Sequence, residues 1–292
     1  MYELIKAAGN TYYIDTPAKI GVYAEDGVVT LIDSGNDQTA GRKIKQLLDA
    51  NGWQLKRILN THAHADHIGG NAFLQKRTNC EILCTPLENA IIRHPQLEPA
   101  CLYGGYPPGQ LRGKFLMAEA SIPTGDVRAA MPDGFEMIPL PGHYFDMAGF
   151  RTPDDVVFLA DCVTSEEILN KYHVNFLYDA GAFLDTLAYI TTLEAALFIP
   201  SHAAPTRDIA PLARANHKNA QEIIALILMM CYTPKSEEEL LQGVFDHFGL
   251  EMNFSQFALV GSTLRSYIAY LIDKGGLQPL FEGNRLLLKA AQ

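Results

Sequence analysis

Thr11–Asp15, Ile20–Ala24 and Val28–Ile32 are short runs rich in apolar, β-branched and aromatic residues that read as strands, with Pro17 and Gly27 as punctuation. Strands this closely spaced predict an antiparallel meander. From Asp37 to Asn51 the spacing is helical: Ile44, Leu47 and Leu48 fall on one face of a helix that Gly52 stops. Leu55–Asn60 reads as a short apolar strand, Asp66–Lys76 as a helix and Glu81–Cys84 as another strand. That β-loop-α-β progression puts residues 61–66 at the carboxyl end of a strand, where layered α/β proteins often carry their sites.

The stretch from His94 to Gly113 is rich in Pro, Gly and aromatic residues beyond what a connector needs, and predicts a covering loop. Strand patterns resume at Phe135–Leu140, Met147–Arg151 and Val156–Ala160, the last two joined by a Pro153-Asp154-Asp155 turn, so a second sheet is expected in the later half. Beyond about residue 208 the pattern is helical: Asn219–Tyr232, Ser236–Phe248 with three glutamates in its first turn, and Ser255–Lys274. Leu277–Phe281 and Arg285–Lys289 close the chain as a hairpin. Three helices and a terminal hairpin is the element order of a winged-helix module, which divides the chain into a main domain over 1–210 and a small helical domain over 211–292. Ile223 to Met230 is apolar on every side of a helix, a pattern that predicts burial all round at an inter-domain or homodimer interface.

At 292 residues, 48% hydrophobic and 19% charged, the chain has the composition of an ordinary globule with a sizeable core. Its net charge of −10 disfavours nucleic acid, whose binding runs on Lys and Arg. The same holds locally, because residues 215–292 carry six Lys/Arg against eight Asp/Glu, and the last long helix offers only Arg265 and Lys274. Met1 to Lys6 does not read as a signal peptide, so a cytoplasmic location is the expectation. The longest apolar run falls far short of the ~18 residues of a membrane span. Cys80, Cys84, Cys101, Cys162 and Cys231 are odd in number and irregularly spaced, which suits free thiols.

The segment Asn60-Thr61-His62-Ala63-His64-Ala65-Asp66-His67-Ile68-Gly69-Gly70 places three histidines and an aspartate within six positions. By chance alone such a run has odds on the order of 1 in 2,000 in a chain of this composition. Neutral imidazoles and carboxylates are the ligands of zinc and related metals, and the spacing lets His62 and His64 face one ion while Asp66 and His67 turn to another.

This loop resembles that of the metallo-beta-lactamase superfamily, and the later motifs of that family follow in order: Pro141-Gly142-His143, Ala160-Asp161 and Pro200-Ser201-His202, each ending a predicted strand. The resemblance covers roughly residues 10–210 and implies an α/β fold, an αββα sandwich. It further implies that His62, His64 and His143 hold one metal, that Asp66, His67 and His202 hold a second, and that Asp161 bridges them. Asp33, in Ile32-Asp33-Ser34-Gly35, matches a carboxylate that orients the loop histidines from behind. The ions implied are two divalent cations, zinc foremost, with iron or manganese as alternatives. The chemistry implied is hydrolysis by a metal-bridging hydroxide, with Asp66 as the acid-base group.

The motif alone does not choose a substrate. The acidic surface favours a small ester, thioester or lactone, of the kind glyoxalase II-like enzymes hydrolyse, over a metal-dependent phosphodiesterase or ribonuclease. A mono-iron dioxygenase of sulfur compounds stands as a third reading, because His and Asp also hold non-haem iron. Tyr172 and Tyr178, in an aromatic segment after the Asp161 strand, are candidate substrate-facing side chains. His94, His173, His217 and His247 are expected to lie outside the site, and Cys162 is expected to point away from it because adjacent strand residues face opposite ways.

Overall fold

The computed structural model describes residues 2–291. The meander is present and has one more strand than its pattern predicts: β1 (Glu3–Ala8), β2 (Thr11–Asp15), β3 (Ile20–Glu25) and β4 (Val28–Ile32) pair antiparallel in order. β1 carries no run of fully buried residues; it lies at the sheet edge and is only part-covered. Helix α1 (Gln38–Ala50) follows, capped by Asp37, whose side chain accepts from Thr39 N and Ala40 N. β5 (Gln54–Leu59) then adds parallel to β4, and β6 (Glu81–Cys84) parallel to β5.

The helix expected over Asp66–Lys76 is two helices, α2 (Ala65–Ile68) and α3 (Asn71–Thr78). The break has a hydrogen-bonding cause. The His67 carbonyl accepts from Ser34 N at 2.8 Å, so it is not available to a continuing helix. Gly70 lets the two segments meet, since a Cβ there would lie 2.3 Å from Ser34 O.

Next come α4 (Pro86–Arg93) and α5 (Leu97–Tyr103), and β7 (Gly125–Asp126) completes a seven-stranded sheet ordered β1 to β7. The stretch read as a covering loop thus contains a helix; Pro99 sits in the first turn of α5, where a missing N–H costs nothing. The second sheet, ordered β11-β10-β9-β8, consists of β8 (Glu136–Pro139), β9 (Ala148–Arg151), β10 (Val156–Phe158) and, after α6 (Glu166–Tyr172) and α7 (Ala180–Ile190), β11 (Leu197–Ile199).

Period-two alternation sorts side chains between layers. Ile32, Leu59 and Leu83 face inward and meet Phe150, Val156 and Phe158 of the second sheet. Their neighbours Leu31, Ile58 and Ile82 face outward, under Ile44 and Leu48 of α1 and Leu74 of α3. On the far side Ile138, Val157 and Phe198 lie under a layer of helices that includes α7. The result is helix, sheet, sheet, helix: the expected αββα sandwich.

The carboxyl-terminal residues form α8 (Ala210–Met230), α9 (Glu237–Phe248), α10 (Phe254–Asp273) and the hairpin β12 (Leu277–Glu282) with β13 (Arg285–Ala290). α8 begins nine residues before the predicted Asn219, with Pro in its first turn. Within the single chain its apolar run is buried on one side: Ile223, Ile224, Leu226 and Ile227 are covered, whereas Ala225 and Met229 form an exposed stripe. Among the described residues no helix is long and apolar enough to cross a membrane.

Candidate metal centre

Every ligand expected from the motifs stands just after a strand, at one edge of the sandwich. Asp33 follows β4, the His62–His67 loop follows β5, His143 follows β8, Asp161 follows β10 and His202 follows β11. Three of these turns need unusual backbone. Ala160, directly before Asp161, has φ of 50°. Asp33 has φ of 64°, and Gly142, directly before His143, has φ of 120° and backs onto Phe183 N, which a Cβ would approach to 2.3 Å.

The side chains converge as two groups. In the first, His62 Nε2 and His143 Nε2 each lie 3.0 Å from His64 Nδ1. Asp161 joins them, its Oδ2 3.6 Å from His143 Nε2. In the second, Asp161 Oδ1 is 3.2 Å from His67 Nε2, Asp161 Oδ2 is 3.1 Å from His202 Nε2, and Asp66 Oδ2 is 3.4 Å from His202 Nε2. The ligand atoms of His62, His64, His143 and Asp161, and those of Asp66, His67, Asp161 and His202, lie within 4.8 Å of one another in each set. Asp161 is common to both.

Groups behind the rings decide which nitrogens are free. Asp33 Oδ2 accepts from His67 Nδ1 at 2.8 Å and from Thr61 Oγ1 at 2.8 Å, and Thr61 Oγ1 in turn accepts from His62 Nδ1 at 3.0 Å. The Pro17 carbonyl accepts from His202 Nδ1 at 2.9 Å. With Nδ1 carrying the proton in all three, each Nε2 presents a lone pair to the centre. His64 is turned the other way, Nδ1 inward. Asp33 therefore orients His67 directly and His62 through Thr61, a relay that the flanking Thr61 could have suggested from sequence.

The chemistry of this donor set fits cations. His67 Nε2 and Asp161 Oδ1 are both buried without a hydrogen-bond partner, and they face each other, lone pair to lone pair. Only a proton or a cation between them relieves that arrangement. Burial, reinforced by the neighbouring rings, holds His62, His64 and His143 below the ordinary imidazole value, so they stay neutral donors. For His202 burial acts the same way but is outweighed by Asp161 and Asp66, which raise it to about 10; His67 is likewise raised by Asp161, Asp66 and Asp33 against burial. Burial also opposes ionisation of Asp66, yet His67 and His202 hold it below its usual range.

The centre opens into a cavity of about 660 Å³ lined by Asp66, His143, Asp161 and His202, with Phe115, Lys171 and Tyr172 around it. Phe115 comes from the segment after α5, so part of the chain just beyond the predicted covering stretch borders the site. The two candidate tyrosines part company: Tyr172 lines this cavity, whereas Tyr178 lines another of about 790 Å³ that shares only Phe176 with the first. Cys162 is buried in the core and its thiol is raised by burial. Asn60, Ser34 and Asn71, which tie the loop together from below, and the buried carboxyls of Glu88 and Glu98 carry no sequence signal of their own.

Comparison with known proteins bears on this arrangement. The family model of the metallo-beta-lactamase superfamily matches residues 9–202. A hydroxyacylglutathione hydrolase of Methylococcus capsulatus is 37% identical over 71 residues, 22% of this chain and 28% of that protein. One of Rhodopseudomonas palustris is 29% identical over 119 residues, 40% of this chain and 38% of that protein. The chain thus spans well under half the length of these curated relatives. Among solved structures, a beta-lactamase domain protein from Burkholderia ambifaria superposes with a TM-score of 0.72 at 16% identity, over 99% of this chain and 94% of that one. A metallo-beta-lactamase family protein from Thermus thermophilus gives 0.71 at 18% identity, over 97% of this chain and 99% of that one. At such identities these two likenesses speak for the fold alone. The family match spans most of the chain and its ordered motif residues form both donor groups at the strand ends: the chain belongs to the metallo-beta-lactamase superfamily.

Proposed function

We propose that the protein is a dinuclear metal-dependent hydrolase of a small thioester, ester or lactone. The observation that carries this reading is the sharing of Asp161 between two complete donor groups. His62, His64 and His143 would hold one divalent ion, most simply zinc, and Asp66, His67 and His202 the other, with Asp161 a donor available to either. When bound, such a pair supplies Lewis acidity and a water acidified toward neutrality.

The chain's own side chains do the rest. Asp66 presents Oδ2 to His67 and His202 and lines the cavity, which leaves Oδ1 to take a proton from the attacking water and return it to the leaving group. Water adds to the acyl carbon, the bond from that carbon to sulfur or oxygen breaks, and the proton goes to the departing thiolate or alkoxide. Phe115, Tyr172 and Phe176 offer apolar surface to the substrate, and Lys171 is a cation within reach of an anionic end. Acylated glutathione is the first substrate class to try, because relatives named hydroxyacylglutathione hydrolases share part of this chain's sequence. The complete second group favours this reading over a mono-iron enzyme.

Elemental analysis of protein purified without chelator, followed by thioester, lactone and ester assays, tests the proposal. About two zinc per chain and thioester turnover are expected, with Asp66→Asn losing about 100-fold or more in kcat. About one iron per chain, or no hydrolysis of any acyl substrate by a two-metal protein, would overturn it.

A further inference from the structure

Glu88 is wholly buried in the first turn of α4, and no Lys or Arg pairs with it among the described residues. Both its oxygens are occupied. Oε2 accepts from Ala63 N at 2.9 Å and Oε1 from Asp146 N at 2.8 Å. Ala63 lies between His62 and His64, and Asp146 lies three residues beyond His143. Thr85, the residue capping the same helix, donates through Oγ1 to the Asp146 carbonyl at 3.0 Å. The start of α4 therefore holds residue 146 through both its N–H and its carbonyl, and the histidine loop through the Ala63 N–H. Burying a carboxyl with no counter-cation costs free energy, and here burial pushes it up to about 8 although the two N–H bonds work against the shift. The nearby Glu98 has no part in this tether, because its carboxylate is 3.8 Å from His64 Nε2, beyond hydrogen-bond reach.

We propose that Glu88 is a positioning residue that sets the separation of His62, His64 and His143 by tying their two loops to one side chain. The inference rests on the reading that these three histidines hold an ion. It predicts an asymmetry. The other donor group is held by bonds that do not involve Glu88, Asp33 on His67 and Pro17 on His202, so loosening Glu88 acts on one ion of the two.

Glu88→Ala removes both bonds. Glu88→Gln keeps one acceptor oxygen, but its amide nitrogen cannot accept from the second N–H. Zinc binding to the chelator-stripped chain is followed by competition with a chromophoric chelator, with thermal melts of the metal-free variants alongside. The expected result is a graded loss on one equivalent, about 10- to 100-fold for Ala and less for Gln, with the other equivalent within about 3-fold of the parent. Parent affinity for both equivalents in Glu88→Gln overturns the inference, which keeps it falsifiable should Glu88→Ala not fold. Equal weakening of both equivalents with Gln no better than Ala overturns it too, because that is general loosening. A parent chain that binds fewer than two equivalents defeats the dinuclear reading instead, and takes this inference with it.

Discussion

Glu88 also carries a pH signature at the level of a single residue. Its carboxyl lies at about 8 in the folded chain against an ordinary 4.5, burial being the dominant cause. A raised acid binds its proton more tightly folded than unfolded, so its contribution is fully present below the unfolded value. It is lost progressively as pH rises from about 4.5 through about 8. The difference between the parent and Glu88→Gln reports this carboxyl together with its effect on Glu98, which burial raises first and the Glu88 charge raises further. Denaturant melts of both metal-free proteins across that window should show the parent losing stability relative to the Gln variant as pH rises, on the order of a few kcal/mol in all. Parallel pH profiles would mean that the carboxyl is ionised throughout.

At the scale of elements, what the sequence discloses depends on how local the cause is. The histidine loop, Asp161 and His202 are legible because each sits in a short run whose neighbours stop a strand, and β3 to β6 are legible because they are short apolar runs, those of β4 to β6 buried on both faces of the sheet. The break between α2 and α3 is not, since it comes from Ser34, more than thirty residues away, taking the His67 carbonyl. Glu88 is hidden for the same reason: nothing near it in sequence shows that it will meet Ala63 and Asp146. α8 starts earlier than its apolar pattern because Asn216, polar in sequence, is buried by bonding the Thr164 backbone with both ends of its amide. The glycine at the α2–α3 break gives a direct check. In Gly70→Ala the new Cβ would sit 2.3 Å from Ser34 O, so the loop must shift away from β4. A loss of about 1–3 kcal/mol in urea melts is expected, together with a fall in zinc content through the displaced His67. Parent stability and full zinc in that variant would show that the close approach is not needed.

For the molecule as a whole, the division at residue 210 separates element types but not cores. One apolar cluster runs from Ile138, Val157 and Phe198 of the second sheet through Phe183 and Leu187 of α7 to Ile223 and Ile227 of α8 and Leu264 and Tyr267 of α10. α8 lies against α6 and α7, and α10 against α5 and α7, so the carboxyl-terminal helices pack onto the helices that flank the second sheet. They also reach the centre: Asn216 holds Thr164, which lines the cavity beside Asp161. Burying one aliphatic side chain is worth roughly 1.5–3 kcal/mol, and the net stability of a domain is only about 5–15 kcal/mol. Ile223, Ile224, Leu226, Ile227, Leu264 and Leu271 are all buried. Even if half of that area is covered within the carboxyl-terminal helices themselves, what remains is comparable with the whole margin. A chain ending at residue 209 should therefore lose its cooperative melt and its metal, whereas the full chain should unfold in one transition by circular dichroism and tryptophan fluorescence alike, Trp53 reporting from the core between the first sheet and its helices. If the shortened chain instead melts cooperatively and binds two zinc ions, residues 1–209 fold as an autonomous unit and the carboxyl-terminal helices are an appendage to the site rather than one of its walls.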